Sequence, residues 1–294
     1  MATAKASAAP KTGNDVAFGF VQALAAELSK GDIELPGYPA VVARIQQMLN
    51  DDDVDIAKVV TAIGSEPAIA GQIVRMANSA ALNPRGIPAA DLRAAITRVG
   101  LNTVRTATVS FAMSQMRKAQ DLKGIEPQVD RLWQRSVQVA SLAQSIARRL
   151  TKLNPDAAML AGLLQGIGKL YILARAAQHP ALFADKEAYR HVEQTWHVNI
   201  AVALIESWGF AGDIVEAVRD SENLDEDVRG PVSLSDVLMV AALLADWAGA
   251  ADTLRALIEA SRPFQRLQLN FEACEAFMTA SAEDVASLRE VLSI

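Results

Sequence analysis

Leu160-Ala-Gly-Leu-Leu-Gln165-Gly166-Ile-Gly168-Lys169-Leu170 is an apolar run broken at its centre by an amide and a glycine. Asn154-Pro155 just upstream is a helix start, because proline in the first turn loses no hydrogen bond. The run therefore falls inside the pair of helices that begins there. Leucines and isoleucine on both sides supply packing surface, whereas Gln165 and Gly166 supply no strong donor. An amide is a poor ligand for a divalent transition metal, and glycine has no side chain to offer.

Outward from this run the chain is helical almost throughout. Val129 to Leu150 carries Leu132, Trp133, Val137, Ala140, Ile146 and Ala147 at helical spacing. Asp121-Leu-Lys-Gly-Ile-Glu-Pro127 before it is the best boundary between two halves. Further upstream, helices are expected over Asp15–Ser29 with Gly31 past its end, and after the Leu35-Pro36-Gly37-Tyr38-Pro39 turn. Others are expected over Asp55–Ile63, Ala68–Ser79, Ala89–Arg98 and Thr103–Arg117, the last two separated by Gly100-Leu101-Asn102. Gly209, Pro231 and Pro263 punctuate the remainder, with helices from Phe271 and from Glu283. Only Arg266 to Phe271 alternates, and it is brief. The expected fold is all-α, a short-loop, multi-helix bundle in two helical subdomains. Residues 1–14 form a disordered tail, 15–124 and 125–262 the two subdomains, and 263–294 a C-terminal helical extension.

With 294 residues, 51% of them hydrophobic, there is ample material for one large core or two smaller ones. Aromatics make up only 5%, so alanine and leucine, both strong helix formers, carry the packing. A net charge of -6 argues against broad nucleic-acid binding, which needs clustered positive charge. Cys274 is the single cysteine and pairs with nothing internally, so a cytoplasmic location is expected. Neither Val16–Leu28 nor Val237–Ala251 reads as a leader or a span; the first is short and the second holds Asp246 centrally. No membrane insertion is expected.

Several stretches then agree with one another. They are Leu35-Pro-Gly-Tyr-Pro39 with Val41-Val42, Ile63-Gly-Ser-Glu-Pro67, Arg75-Met-Ala-Asn78-Ser79 and Ala95-Ile-Thr-Arg98-Val-Gly100-Leu-Asn102-Thr-Val-Arg105. The second half adds Leu132-Trp133-Gln-Arg-Ser136, Leu163 to Lys169, Ala203-Leu204-Ile205-Glu-Ser-Trp208-Gly209, Ile214 to Val218 and Leu243-Leu-Ala-Asp246. In this order they resemble the HDOD family, the HD-related output domains of bacterial signalling proteins, from roughly residue 30 to residue 250. The resemblance implies a degenerate HD-like C-terminal half behind an N-terminal helical half. It also implies a non-catalytic output or adaptor module with a protein partner in a bacterial signalling pathway and no cofactor. The alternative is a divergent metal-dependent phosphohydrolase acting on nucleotides or cyclic dinucleotides. No fused receiver or GGDEF-like segment is recognisable, so an input signal is expected to arrive by association.

The same resemblance locates a vestigial metal pocket. Where HD phosphohydrolases carry His-Asp in Leu-Leu-His-Asp-Ile-Gly-Lys, this chain has Gln165-Gly166. Arg135 stands at the first-ligand histidine, Asp246 matches the last-ligand aspartate, and His197 matches an extra ligand of some branches. A further histidine pair is replaced by Asp220-Ser221. One aspartate and one histidine fall short of the roughly three or four protein ligands a hydrolytic site needs. Arg135 would repel a metal and is placed to pair with Asp246 instead. A small anionic ligand in the vacated pocket is a third possibility. The plainer readings are a locally paired Asp246, a His197 that caps a helix start, a buried Cys274, and Ser65 and Ser79 as caps.

One charge feature remains. From Arg75 to Lys118 seven basic residues face Asp91 alone, a net +6. Arg75, Arg85, Arg98 and Arg105 are the candidate surface for an acidic partner or a phosphate-bearing ligand. The bland reading is a solvated face, some of whose arginines bridge to the acidic segment Asn50 to Asp55.

Overall fold

The computed structural model describes residues 13–30, 39–51, 53–80, 82–116, 122–210, 212–223, 231–247 and 251–292. Among these residues there are helices and no strand. The first half holds α1 (Gly13–Lys30), α2 (Ala40–Leu49), α3 (Ile56–Gly64), α4 (Pro67–Asn78) and α5 (Leu92–Met116). The second begins with α6 (Glu126–Leu150), α7 (Pro155–Leu164), α8 (Ile167–Ala177), α9 (Pro180–Ala184) and α10 (Lys186–Ser207). It continues with α11 (Gly212–Asp220), α12 (Leu234–Asp246), α13 (Ala251–Ala260), α14 (Arg262–Arg266) and α15 (Phe271–Leu292).

Local signals set many of these boundaries. Asn154 Oδ1 accepts from the backbone N–H groups of Asp156 and Ala157, with Pro155 in the first turn. Asp55 and Asp185 cap α3 and α10 in the same way. Ser233 and Asp236 form a reciprocal capping box at α12. Ser65 and Ser79 act at the other ends, donating to the carbonyls of Ala62 and Met76.

The quoted run is the centre of the molecule. α7 and α8 meet at Gln165–Gly166, and α7 packs on α6 while α8 packs on α10. Gly162 lets α7 approach closely, since a Cβ there would stand 2.6 Å from Ala140 Cα. Pro155–Ala177 is long and apolar enough to cross a membrane by length and composition, but 94% of its most apolar 18-residue window is buried inside the fold. It is core. α12 and α15 also lie on α6, and one connected set of buried side chains runs from Phe20 to Leu292.

Three expectations need correction. The Ala89–Arg98 helix begins at Leu92, because Asp91 accepts from Ala94 N–H and caps it there. It then runs on through Leu101 and Asn102, with a kink at Gly100, whose φ of 79° suits glycine. Phe271 and Glu283 do not start separate helices: both lie in α15, which packs on α6 and α4. The alternating Arg266–Phe271 stretch is the end of α14, a turn and the start of α15. α1 packs on α9 and α10, so the first helix of the expected N-terminal subdomain touches the other half. Of the expected tail over residues 1–14, Gly13 and Asn14 belong to α1, and residues 1–12 lie outside the described residues, as do Gly31, the 35–38 part of the first turn, Arg117 and Lys118.

Candidate functional site

α6, the α7–α8 turn and the end of α12 bring Arg135, Gln165 and Asp246 together. Arg135 Nε donates to Asp246 Oδ1 and Nη2 donates to Oδ2, each at 2.7 Å. Nη1 donates to Gln165 Oε1 at 3.3 Å. Two parallel bonds to one carboxylate make this the strong, geometrically specific form of ion pair. The hydrogen bonds with Asp246 are the main reason that the Arg135 guanidinium titrates above its ordinary value, against the opposing effect of burial. Asp246 is thus paired across the bundle, not locally. Gln165 turns its oxygen to the guanidinium and leaves Nε2 buried with no partner among the described residues. Gly166 lies against α6, where a Cβ would stand 2.4 Å from Ser136 Oγ.

A second polar cluster joins α8, α10 and the turn after α11, close enough for the Glu222 charge to act on Arg135. His197 Nε2 is 2.9 Å from Glu222 Oε1, and Nδ1 is 2.8 Å from the Glu193 carbonyl oxygen. Both ring nitrogens face acceptors, an arrangement that an imidazolium with two N–H groups satisfies. Lys169 Nζ reaches the same Glu222 oxygen at 3.4 Å. The hydrogen bond from His197 is the main cause that pulls the Glu222 carboxyl down to about 2, with Lys169 adding to it. His197 caps no helix start; it is buried within α10, one turn beyond Glu193. Ser221, at the position of the replaced histidine pair, donates to the Val218 carbonyl. Lys169 and Glu222 escaped the sequence reading. Lys169 lies four residues after Gln165, a helical spacing that was the available clue.

These residues do not fit a divalent cation. Arg135 occupies both Asp246 oxygens and the Gln165 oxygen, and His197 is held between a carboxylate and a carbonyl. Among the described residues no three His, Cys, Asp or Glu side chains are grouped to hold a metal ion.

The four candidate surface arginines divide. Arg75 and Arg85 are exposed. Arg98 donates to the carbonyls of Ala77 and Ile87 and so ties down the loop before α5. Arg105 is half-buried: it donates to Asn50 Oδ1 at 2.6 Å and to the Leu49 carbonyl, and its guanidinium lies 6.0 Å from the Phe210 ring centre. Arg105 serves as an internal cross-link, because both its terminal nitrogens donate to backbone and amide oxygens, whereas Arg98 stays exposed and uses Nη1 for its bonds to the chain. Arg105 reaches the acidic segment at Asn50, an amide, and not at its carboxylates. Cys274 is fully buried, and burial pushes its thiol up to about 11.

The HDOD domain profile matches residues 35–224. A solved protein from Shewanella amazonensis SB2B, named as a candidate metal-dependent phosphohydrolase, is 28% identical with a TM-score of 0.74. That likeness covers 93% of this chain and 99% of the other. An HDOD domain protein of unknown function from Geobacter sulfurreducens is 22% identical with a TM-score of 0.63, covering 91% of this chain and 99% of that one. An uncharacterized protein of Treponema pallidum is 22% identical over 217 residues, 68% of this chain. The match spans 40% of that relative's length. Asp246 lies beyond the matched profile, and its tie to Arg135 rests on the geometry.

Proposed function

This chain belongs to the HDOD domain family, and we propose on that premise that it is a non-catalytic signal-transduction output module acting through a protein partner in a bacterial pathway. The observation that carries this reading is the Arg135–Asp246 fork with Gln165 bound to it. A fixed guanidinium supplies the positive charge that a metal would supply, yet it neither polarises a water nor offers an open coordination position. The residues of the pocket are spent on holding α6, α7 and α12 in register. A cytoplasmic setting accords with a buried, unpaired Cys274.

A phosphohydrolase acting on nucleotides or cyclic dinucleotides is the second reading, favoured by the name of the Shewanella relative. Purified full chain incubated with manganese, magnesium or iron and a panel of such substrates separates the two. We expect no phosphate release above a metal-only blank and no metal retained after gel filtration. Stoichiometric metal together with turnover would overturn the module reading. Affinity purification from the native cell then identifies the partner.

A further inference from the structure

Beside the closed Arg135–Asp246 pair, α6 faces a separate cavity of about 430 Å³. Gln128, Arg131, Leu132 and Arg135 line it from one side of α6, at the spacing of a single helical face. Leu173 of α8, Phe183 of α9, and Lys186, Tyr189 and Glu193 of α10 complete the walls. The volume is that of a small-molecule pocket. The rings of Phe183 and Tyr189 meet edge to face with centroids 6.2 Å apart and give the cavity an aromatic wall beside Leu132 and Leu173.

Its charge is unbalanced. Three cationic side chains, Arg131, Arg135 and Lys186, face the single carboxylate of Glu193, which already accepts from the Tyr189 hydroxyl at 3.0 Å. Arg135 is spent on Asp246, whereas Arg131 and Lys186 are exposed and make no ion pair or hydrogen bond with a described residue. Cations left unpaired around an apolar, aromatic concavity are groups a complementary anion would satisfy.

We propose that this cavity binds an amphipathic organic anion, a flat aromatic body carrying one phosphate, sulfonate or carboxylate group. The rings and leucines take the body, and Arg131 and Lys186 take the charge at the rim. The inference goes beyond the module reading and does not depend on it, because occupancy is measured without turnover.

The test is equilibrium binding of 8-anilinonaphthalene-1-sulfonate to the full chain, followed by fluorescence and calorimetry. The expected result is saturable one-to-one binding that weakens at least tenfold in the Arg131→Ala/Lys186→Ala double variant, whose melting temperature should match the parent. Uncharged N-phenyl-1-naphthylamine should bind more weakly than the sulfonate, and inorganic phosphate alone should compete poorly. Leu132→Trp, which fills the cavity from α6, should abolish binding. The proposal fails if binding is non-saturable, or if the double variant and Leu132→Trp bind as the parent does.

Discussion

Glu222 is held by His197 and Lys169 on one oxygen, and this gives the second cluster a defined response to acid. Its carboxyl is pulled from 4.5 to about 2 in the folded chain. The unfolded chain therefore takes up the proton first as pH falls. The carboxylate's contribution to stability is complete above the ordinary range near 4.5 and is lost as pH drops through about 2. Glu222 is 49% exposed, so screening keeps that contribution below about 1 kcal/mol. Thermal melts of the parent and of Glu222→Gln across this window are the measurement. The parent should lose its advantage over the variant on acidification, and parallel curves would remove Glu222 from the account. Arg135 follows the opposite logic: with both oxygens of Asp246 on one guanidinium, the pair acts as a clasp between α6 and α12.

At the scale of elements, the centre of the fold depends on glycines that allow helices to touch, Gly168 above all. A Cβ on Gly168 would stand 1.9 Å from the His197 carbonyl oxygen and 2.9 Å from Ala201 N, so α8 and α10 must separate to admit it. Backbone cannot rotate aside as a side chain can, and Gly168→Ala should cost about 3 kcal/mol. Gly19→Ala in α1, where a Cβ meets nothing within 4 Å, is the control and should be neutral or stabilising. Urea unfolding of both variants decides the matter; a tolerated Gly168→Ala would mean the α8–α10 contact is looser than described. The helices themselves were legible in the sequence because caps and apolar spacing act within a turn or two, as at Asn154-Pro155 and Asp55. α15, expected as two helices from Phe271 and Glu283, is continuous through Ser281. In the fold its hydroxyl donates to the Phe277 carbonyl and stays buried inside one helix. Of the site, Arg135 and Asp246 could be joined through the family pattern, although 111 residues separate them. Glu222 could not, since it belongs to no motif and meets His197 and Lys169 only through the fold, 25 and 53 residues away in sequence. Arg105 misled because sequence counts a charge but cannot show which oxygens it faces.

The whole molecule is held together at a node where the first half meets the second. Arg105 of α5 donates to the end of α2 through Asn50 Oδ1 and the Leu49 carbonyl, and Asn50 Nδ2 donates to the Trp208 carbonyl at 3.0 Å, just past α10. Gly209 follows with φ of 72°, and a Cβ there would stand 2.2 Å from Asn50 Nδ2. Asn50 is thus gripped from both halves, and the Phe210 ring closes over the guanidinium. Burial pulls the Arg105 guanidinium below its ordinary value, and its hydrogen-bond acceptors here are neutral oxygens. Truncation leaves those oxygens half-buried without a donor, so Arg105→Ala should cost about 2 kcal/mol. Because Asn50 and Arg105 serve one network, the Asn50→Ala/Arg105→Ala pair should cost less than the two single changes together. Urea unfolding read by circular dichroism measures all three. Strict additivity would mean that the two residues stabilise their own halves separately, and the chain would then owe its interhalf register to apolar packing and to the ties of Glu27 with Tyr171 and Arg175.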